Sequence, residues 1–110
     1  MQQEELLISL HALLGIYSPQ TLKLRSYIKH HKVVVLINNG NTHNFIQKWL
    51  VEDLHCYVKP AKNFQIWIDN GFKMNCGGWC ENVKLEMGDY HLKSHMIAIE
   101  MGGCDVVLRA

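Results

Sequence analysis

Residues 33–46 read VVVLINNGNTHNFI, and the reading of this stretch decides the fold. Five apolar residues, Val33 to Ile37, run without interruption into Asn38-Asn39-Gly40-Asn41-Thr42. All but Leu36 are β-branched, and polar and glycine residues bound the run, so it predicts a strand buried on both faces. A loop carried on such a strand is held rigidly enough to place a side chain with the accuracy that chemistry needs. Taken alone, Asn39-Gly40 is a hairpin-turn signal that calls for no function.

The neighbouring segments point to more strands. From Thr21 to Lys29 the chain alternates, with Leu22, Leu24, Ser26 and Ile28 on one face and Lys23, Arg25, Tyr27 and Lys29 on the other. That is the pattern of a half-exposed strand, and a turn at His30-His31-Lys32 would pair it with residues 33–37. Beyond the loop, Phe45, Ile46, Trp49, Leu50 and Leu54 recur at helical spacing, which predicts a short helix within residues 42–54 and Trp49 on its buried face. Pro60 ends any helix there. Asp69-Asn70-Gly71 is a hairpin turn between strands Phe64 to Ile68 and Phe72 to Cys76, and Gly77-Gly78 is a flexible hinge or bulge. Trp79 to Met87 and Tyr90 to Glu100 pair around Gly88-Asp89, and Asp105 to Leu108 closes the chain. Before residue 21, Gly15, Ser18 and Pro19 mark a break after a strand or short helix. Strands joined by closely spaced turns predict an all-β fold, a small closed β-barrel with one short helix, as a single domain over residues 1–110.

Several of these segments together resemble the retropepsin-like aspartic proteases of gypsy-type retrotransposon polyproteins. In that family a hydrophobic run enters Asp-Ser/Thr-Gly-Ser/Ala-Thr and, in plant elements, His-Asn-Phe. The matching residues are Leu36-Ile37, Asn38-Asn39-Gly40-Asn41-Thr42 and His43-Asn44-Phe45. Ile8-Ser9-Leu10-His11-Ala12-Leu13 is similar to the family's entry strand, Asn70-Gly71 to its central hairpin, and Gly103-Cys104-Asp105-Val106-Val107-Leu108 to its closing strand. The resemblance implies a retropepsin-type barrel that works as a homodimer on a polypeptide, with one catalytic aspartate from each subunit. It also implies that Asp69, Asn70 and Gly71 belong to a flap that closes over bound peptide. Asn38 departs from the pattern, because it stands where the aspartate belongs. Asn39 replaces the hydroxyl residue that bonds across to the other subunit, Asn41 replaces a small residue, and Gly40 and Thr42 are kept. The implied domain is catalytically inactive, with a non-catalytic peptide-binding or protein-binding barrel as the alternative. In the family, glycine and a helix follow the closing strand; here Arg109 and Ala110 follow Leu108, which suggests a truncated domain.

Composition narrows the alternatives. A net charge of +1, without a basic run interleaved with aromatics, argues against a nucleic-acid surface. No apolar run reaches the roughly 18 residues needed to span a bilayer. The first residues carry Glu4 and Glu5 where a signal peptide would be basic, so an intracellular, cytoplasmic protein with reduced cysteines is expected. Cys76, Cys80, His91 and His95 come near the spacing of a two-cysteine, two-histidine zinc site, but Val83 to Met87 between the pairs has strand character. No metal and no cofactor is therefore expected. A Cys-His hydrolase built from His43 with Cys56 or Cys104 has no feature bringing the thiol to the ring.

Overall fold

The computed structural model describes residues 6–14, 21–60 and 65–109. The acidic start, the break at Gly15, Ser18 and Pro19, the beginning of the strand expected from Phe64, and Ala110 lie outside the described residues. In chain order the elements are β1 (Leu6–Ile8), α1 (Leu10–Leu14), β2 (Thr21–Ile28), β3 (His31–Asn38), β4 (Phe45–Gln47), α2 (Lys48–Asp53), β5 (Val58–Lys59), β6 (Gln65–Ile68), β7 (Lys73–Asn75), β8 (Trp79–Met87), β9 (Tyr90–Ile99) and β10 (Val106–Arg109). Strands β2, β3, β10, β4, β9 and β8 follow one another round a sheet, and Tyr27 of β2 pairs with Glu86 of β8 to close it into a six-stranded barrel. The expected all-β barrel is thus the fold, with α2 as its short helix and α1 a single further turn. A second sheet, in the order β1, β6, β7, lies outside the barrel.

The unbroken apolar run of β3 follows from these two layers. Val33 and Val35 belong to the barrel's own core with Ile46, Met96, Ala98, Val106 and Leu108, whereas Leu36 belongs to a second cluster with Phe45, Ile97, Ile99 and Val107. That second cluster is capped by Leu6, Ile8, Ala12 and Ile66 from β1, α1 and β6. Strands β3, β4 and β10 and the second half of β9, residues 96–99, therefore bury both faces, one into the barrel and one beneath the small sheet. Each such side chain contributes roughly 1.5–3 kcal/mol by leaving water. Strand β2 has only one covered face and alternates accordingly.

Four local expectations are corrected by the tertiary structure. Ile28 pairs with His31, so the turn is only Lys29-His30, both at positive φ (47° and 69°), and His31 and Lys32 belong to β3. Phe45 and Ile46 belong to β4, wedged between β9 and β10, so the helix starts at Lys48 and its buried face shifts to Leu50 and Val51, leaving Trp49 56% exposed. Leu22 is also exposed, on the face where Ser26 and Ile28 are buried. Nor is Gly77-Gly78 a free hinge. Gly77 N–H donates to Ala98 O (2.8 Å), Ala98 N–H donates to Gly78 O (2.9 Å), and a Cβ on Gly78 would lie 2.4 Å from Val58 Cγ1. Among the described residues no helix is long and apolar enough to cross a membrane.

Candidate functional site

Strand β3 ends at Asn38, which pairs with Thr21 of β2 and Arg109 of β10 and is 5% exposed. Its Oδ1 accepts the Gly40 N–H at 2.6 Å, closing the loop on itself. Asn39 and Gly40 are exposed, while Asn41 and Thr42 turn back toward β1. The position is braced from behind. The Asp105 carboxylate accepts the Val34 N–H (2.7 Å) and the Asp105 N–H donates to Val34 O (3.0 Å), extending the parallel pairing of β3 and β10 beyond its regular register.

The His-Asn-Phe segment holds the other side of the loop. Asn44 Nδ2 donates to Ser94 Oγ (2.8 Å) and Asn44 Oδ1 accepts the Arg109 N–H (2.8 Å), joining the loop's exit to β9 and β10. The Arg109 guanidinium donates to Thr42 O (3.2 Å). His43 sits edge-on to Trp79, with 6.2 Å between ring centroids and 2.7 Å from Nδ1 to Thr42 Oγ1. Phe45 is fully buried in the second cluster. Gln47, likewise buried, holds the approach to β10: its Oε1 accepts the Met101 N–H (2.8 Å) and its Nε2 donates to Met101 O.

Facing the loop is the β6–β7 hairpin with Asp69, Asn70 and Gly71 at its turn. Gly71 has φ 94° and its N–H donates to Ile68 O (2.9 Å), while Asn70 Oδ1 accepts the Phe72 N–H (3.0 Å). Trp67 and Phe72 are exposed at 40% and 70%, and Lys73 Nζ lies 4.2 Å over the Trp67 ring. β1 links loop and hairpin. Leu7 N–H donates to Thr42 Oγ1 (2.8 Å), Thr42 N–H donates to Leu7 O (3.1 Å), and Ser9 N–H donates to Asn41 Oδ1 (2.9 Å). On its other edge β1 runs parallel to β6, Asp69 N–H donates to Ile8 O (3.2 Å), and Asp69 Oδ1 accepts the Leu10 N–H (2.7 Å).

The strand expected over residues 8–13 therefore ends at Ile8. The hydroxyl of Ser9 accepts the Ala12 N–H (3.0 Å), an N-cap that starts α1 instead. The resemblance names Ser9 and Asn44 without a role and Asn41 only as the replacement of a small residue. The cue in Ser9-Leu10-His11-Ala12 is a cap residue placed before a helical turn, whereas the role of Asn41 has no local signal.

All four cysteines are free thiols. Burial pushes the Cys80 thiol up to about 11, with the neighbouring Cys56 and Cys76 adding to the shift. Burial likewise raises Cys104 to about 11, the Asp105 charge adding to the rise and Lys23 opposing it, and its Sγ donates to Ala12 O (3.6 Å). These thiols are neutral and inert at physiological pH. Cys80 faces the barrel core while His91 and His95 are exposed on β9, and among the described residues no group of three or more His, Cys, Asp or Glu is arranged to hold a metal. The cavity of about 390 Å³ lined by Ile28, Cys56, Tyr57, Glu81 and Val83 shares no residue with the loop.

A closed six-stranded barrel that carries a glycine-centred loop on a doubly buried strand, with a hairpin facing it, defines a retropepsin-like domain of the acid-protease class. The retroviral aspartyl protease family model matches residues 17–110, and the chain belongs to that family. Comparison with curated proteins gives no match.

Proposed function

We propose that this chain is the protease domain of a gypsy-type retrotransposon polyprotein in which Asn38 occupies the position of the catalytic aspartate, so that it is inactive as a peptidase. The observation that carries this reading is the placement of Asn38 at the end of β3, nearly buried and bonded to the Gly40 N–H. Hydrolysis by this class needs two carboxylates that share a proton and activate a water between them. A side-chain amide matches a carboxylate in shape but takes up no proton at any accessible pH. In a homodimer, Asn39 and Gly40 of each subunit meet the partner loop, Thr42 supplies the hydroxyl that the catalytic loop keeps, and Asp69-Asn70-Gly71 closes over the bound polypeptide. A peptide-binding barrel without chemistry is the second reading, favoured by the backbone bonds that the loop and hairpin already make to an extended strand.

Cleavage of a mixed peptide library separates the two readings. The unmodified chain is expected to cleave nothing, and Asn38→Asp to restore partial activity, greatest at mildly acidic pH. Recovery is partial because Asn39 and Asn41 remain in the loop, and misplacement of about 1 Å can cost about a hundredfold. Adding Asn39→Ser and Asn41→Ser raises the activity further. A folded, dimeric triple variant that cleaves no peptide would leave the binding reading in place of the protease reading.

A further inference from the structure

The barrel wall has a gap that shares no residue with the Asn38–Thr42 loop or the β6–β7 hairpin. On the edge that faces away from β9, strand β8 pairs with β5 at Trp79 and Cys80 and with β2 at Glu86. Among the described residues no strand pairs with residues 81–85 on that edge, and the cavity of about 390 Å³ lies along it. Small-molecule pockets run from roughly 300 to 1,000 Å³, so its size is sufficient for one small ligand. Ile28 and Val83, both buried, and the half-buried thiol of Cys56 make one side apolar, and Tyr57, 78% exposed, adds an aromatic ring.

Three turning points of the chain fix the shape of this cavity. Lys29, His55 and Asn82 line it at φ 47°, 53° and 57°, a left-handed conformation that residues other than glycine seldom adopt. Each is held by its surroundings. Lys29 is in the β2–β3 turn, His55 N–H donates to Glu52 O (3.2 Å) at the end of α2, and Asn82 lies in the bulge between Cys80 and Val83. The Lys29 ammonium donates to Leu54 O (3.2 Å), tying the turn to the end of α2. The concavity is therefore formed before any ligand arrives.

The charged groups around it divide into engaged and free. Glu81 pairs with Lys59 (3.9 Å), and Lys29 is engaged by Leu54 O. Lys84 and Glu86 also line the cavity, and among the described residues neither forms an ion pair. Lys84 lies opposite Lys93 of β9, a like-charge pair that an anion relieves, whereas Glu86 lies opposite His91. Two residues apart on one face of β8, Lys84 and Glu86 start roughly 7 Å from each other, which leaves room for an anion and a cation carried on one carbon atom. We propose that this gap between β5 and β2 is a binding site for a free α-amino acid with a large apolar side chain, its carboxylate on Lys84, its ammonium on Glu86 and its side chain against Ile28, Val83 and Cys56. A ligand with a single charge leaves either Lys84 or Glu86 unmatched. The inference is independent of the reading of Asn38.

Amide NMR spectra of the full chain, titrated with four probes, test this. Phenylalanine is expected to give saturable shifts at the His55, Asn82 and Lys84 amides and none at Gly40. Glycine, which has both charges and no apolar body, is expected to give none at any of them. Phenethylamine and phenylpropionate each lack one charge and are expected to bind at least about tenfold more weakly than phenylalanine. Lys84→Gln is expected to weaken phenylalanine by about the same factor while leaving phenethylamine unchanged, and Glu86→Gln to do so while leaving phenylpropionate unchanged. If either variant does not fold, the four probes on the unmodified chain decide. Absence of a saturable shift with phenylalanine, equal binding of the three phenyl compounds, or shifts at Gly40 in place of Asn82 would each overturn the proposal.

Discussion

Two Asn-Gly pairs, Asn39-Gly40 and Asn70-Gly71, have the same local signal and opposite physical reasons for their glycine. Gly71 has φ 94° and nothing within 4 Å of where a Cβ would be, so it is required by backbone conformation in an open turn. Gly40 is not among the residues at positive φ, but a Cβ there would lie 3.1 Å from Asn38 Oδ1 and 3.2 Å from Ser9 Cβ, so what favours glycine there is close approach and not backbone conformation. The hairpin glycine shapes a surface, whereas the loop glycine makes room for β1. Side chains follow the same division: Asn70 serves its own turn by accepting the Phe72 N–H, while Asn41 reaches a residue 32 positions away.

The comparison is put under its greatest strain at alkaline pH. Cys80 and Cys104 keep their protons in the folded protein up to about 11, while in the unfolded chain they release them from about 9.0. Between these values the unfolded state binds fewer protons than the folded one, so stability falls as pH rises; the contribution is complete below pH 9 and gone above 11. Cys104 bonds Ala12 in α1, so the loop and β1 side is expected to open first, with the hairpin turn following. Urea melts from pH 8 to 11, with exchange at Ser9 and Gly71 as local probes, check this; a melt midpoint flat across that range would contradict the buried thiols.

Substitution gives the next effects. Gly40→Ala is expected to lower stability by about 1–3 kcal/mol, as overpacking does, and to speed exchange of the Ser9 amide. Gly71→Ala forces a side chain into a positive φ and is expected to cost about 1–2 kcal/mol, with exchange at Ser9 unchanged. Denaturant melts with amide exchange separate the two, and equal acceleration at Ser9 would remove the distinction between them. The smallest effect belongs to Asn70→Ala, which loses one exposed turn bond and is expected to change stability by at most about 0.5 kcal/mol in the same melts.

The sequence by itself determined a good deal: the doubly buried β3, the β2–β3 and β8–β9 hairpins, the Asp69-Asn70-Gly71 turn, the closing strand and the retropepsin-like class of barrel. The class comes from the resemblance of segments spread from Ile8 to Leu108, whereas the elements depend on residues close together in the chain, where β-branched runs, alternation and Asn-Gly or Gly-Asp turns act through local sterics. Tertiary structure alone decided the rest. Phe45 and Ile46 have helical spacing, yet they form β4 because β9 and β10 leave a strand-shaped gap between them. Parallel pairing of Leu6–Ile8 with Ile66–Ile68, and the placing of Ser9 against Asn41 and Gly40, join segments that no local rule connects. The free energy that settles them comes from one shared apolar layer and from backbone groups that must find partners wherever the closed barrel brings them.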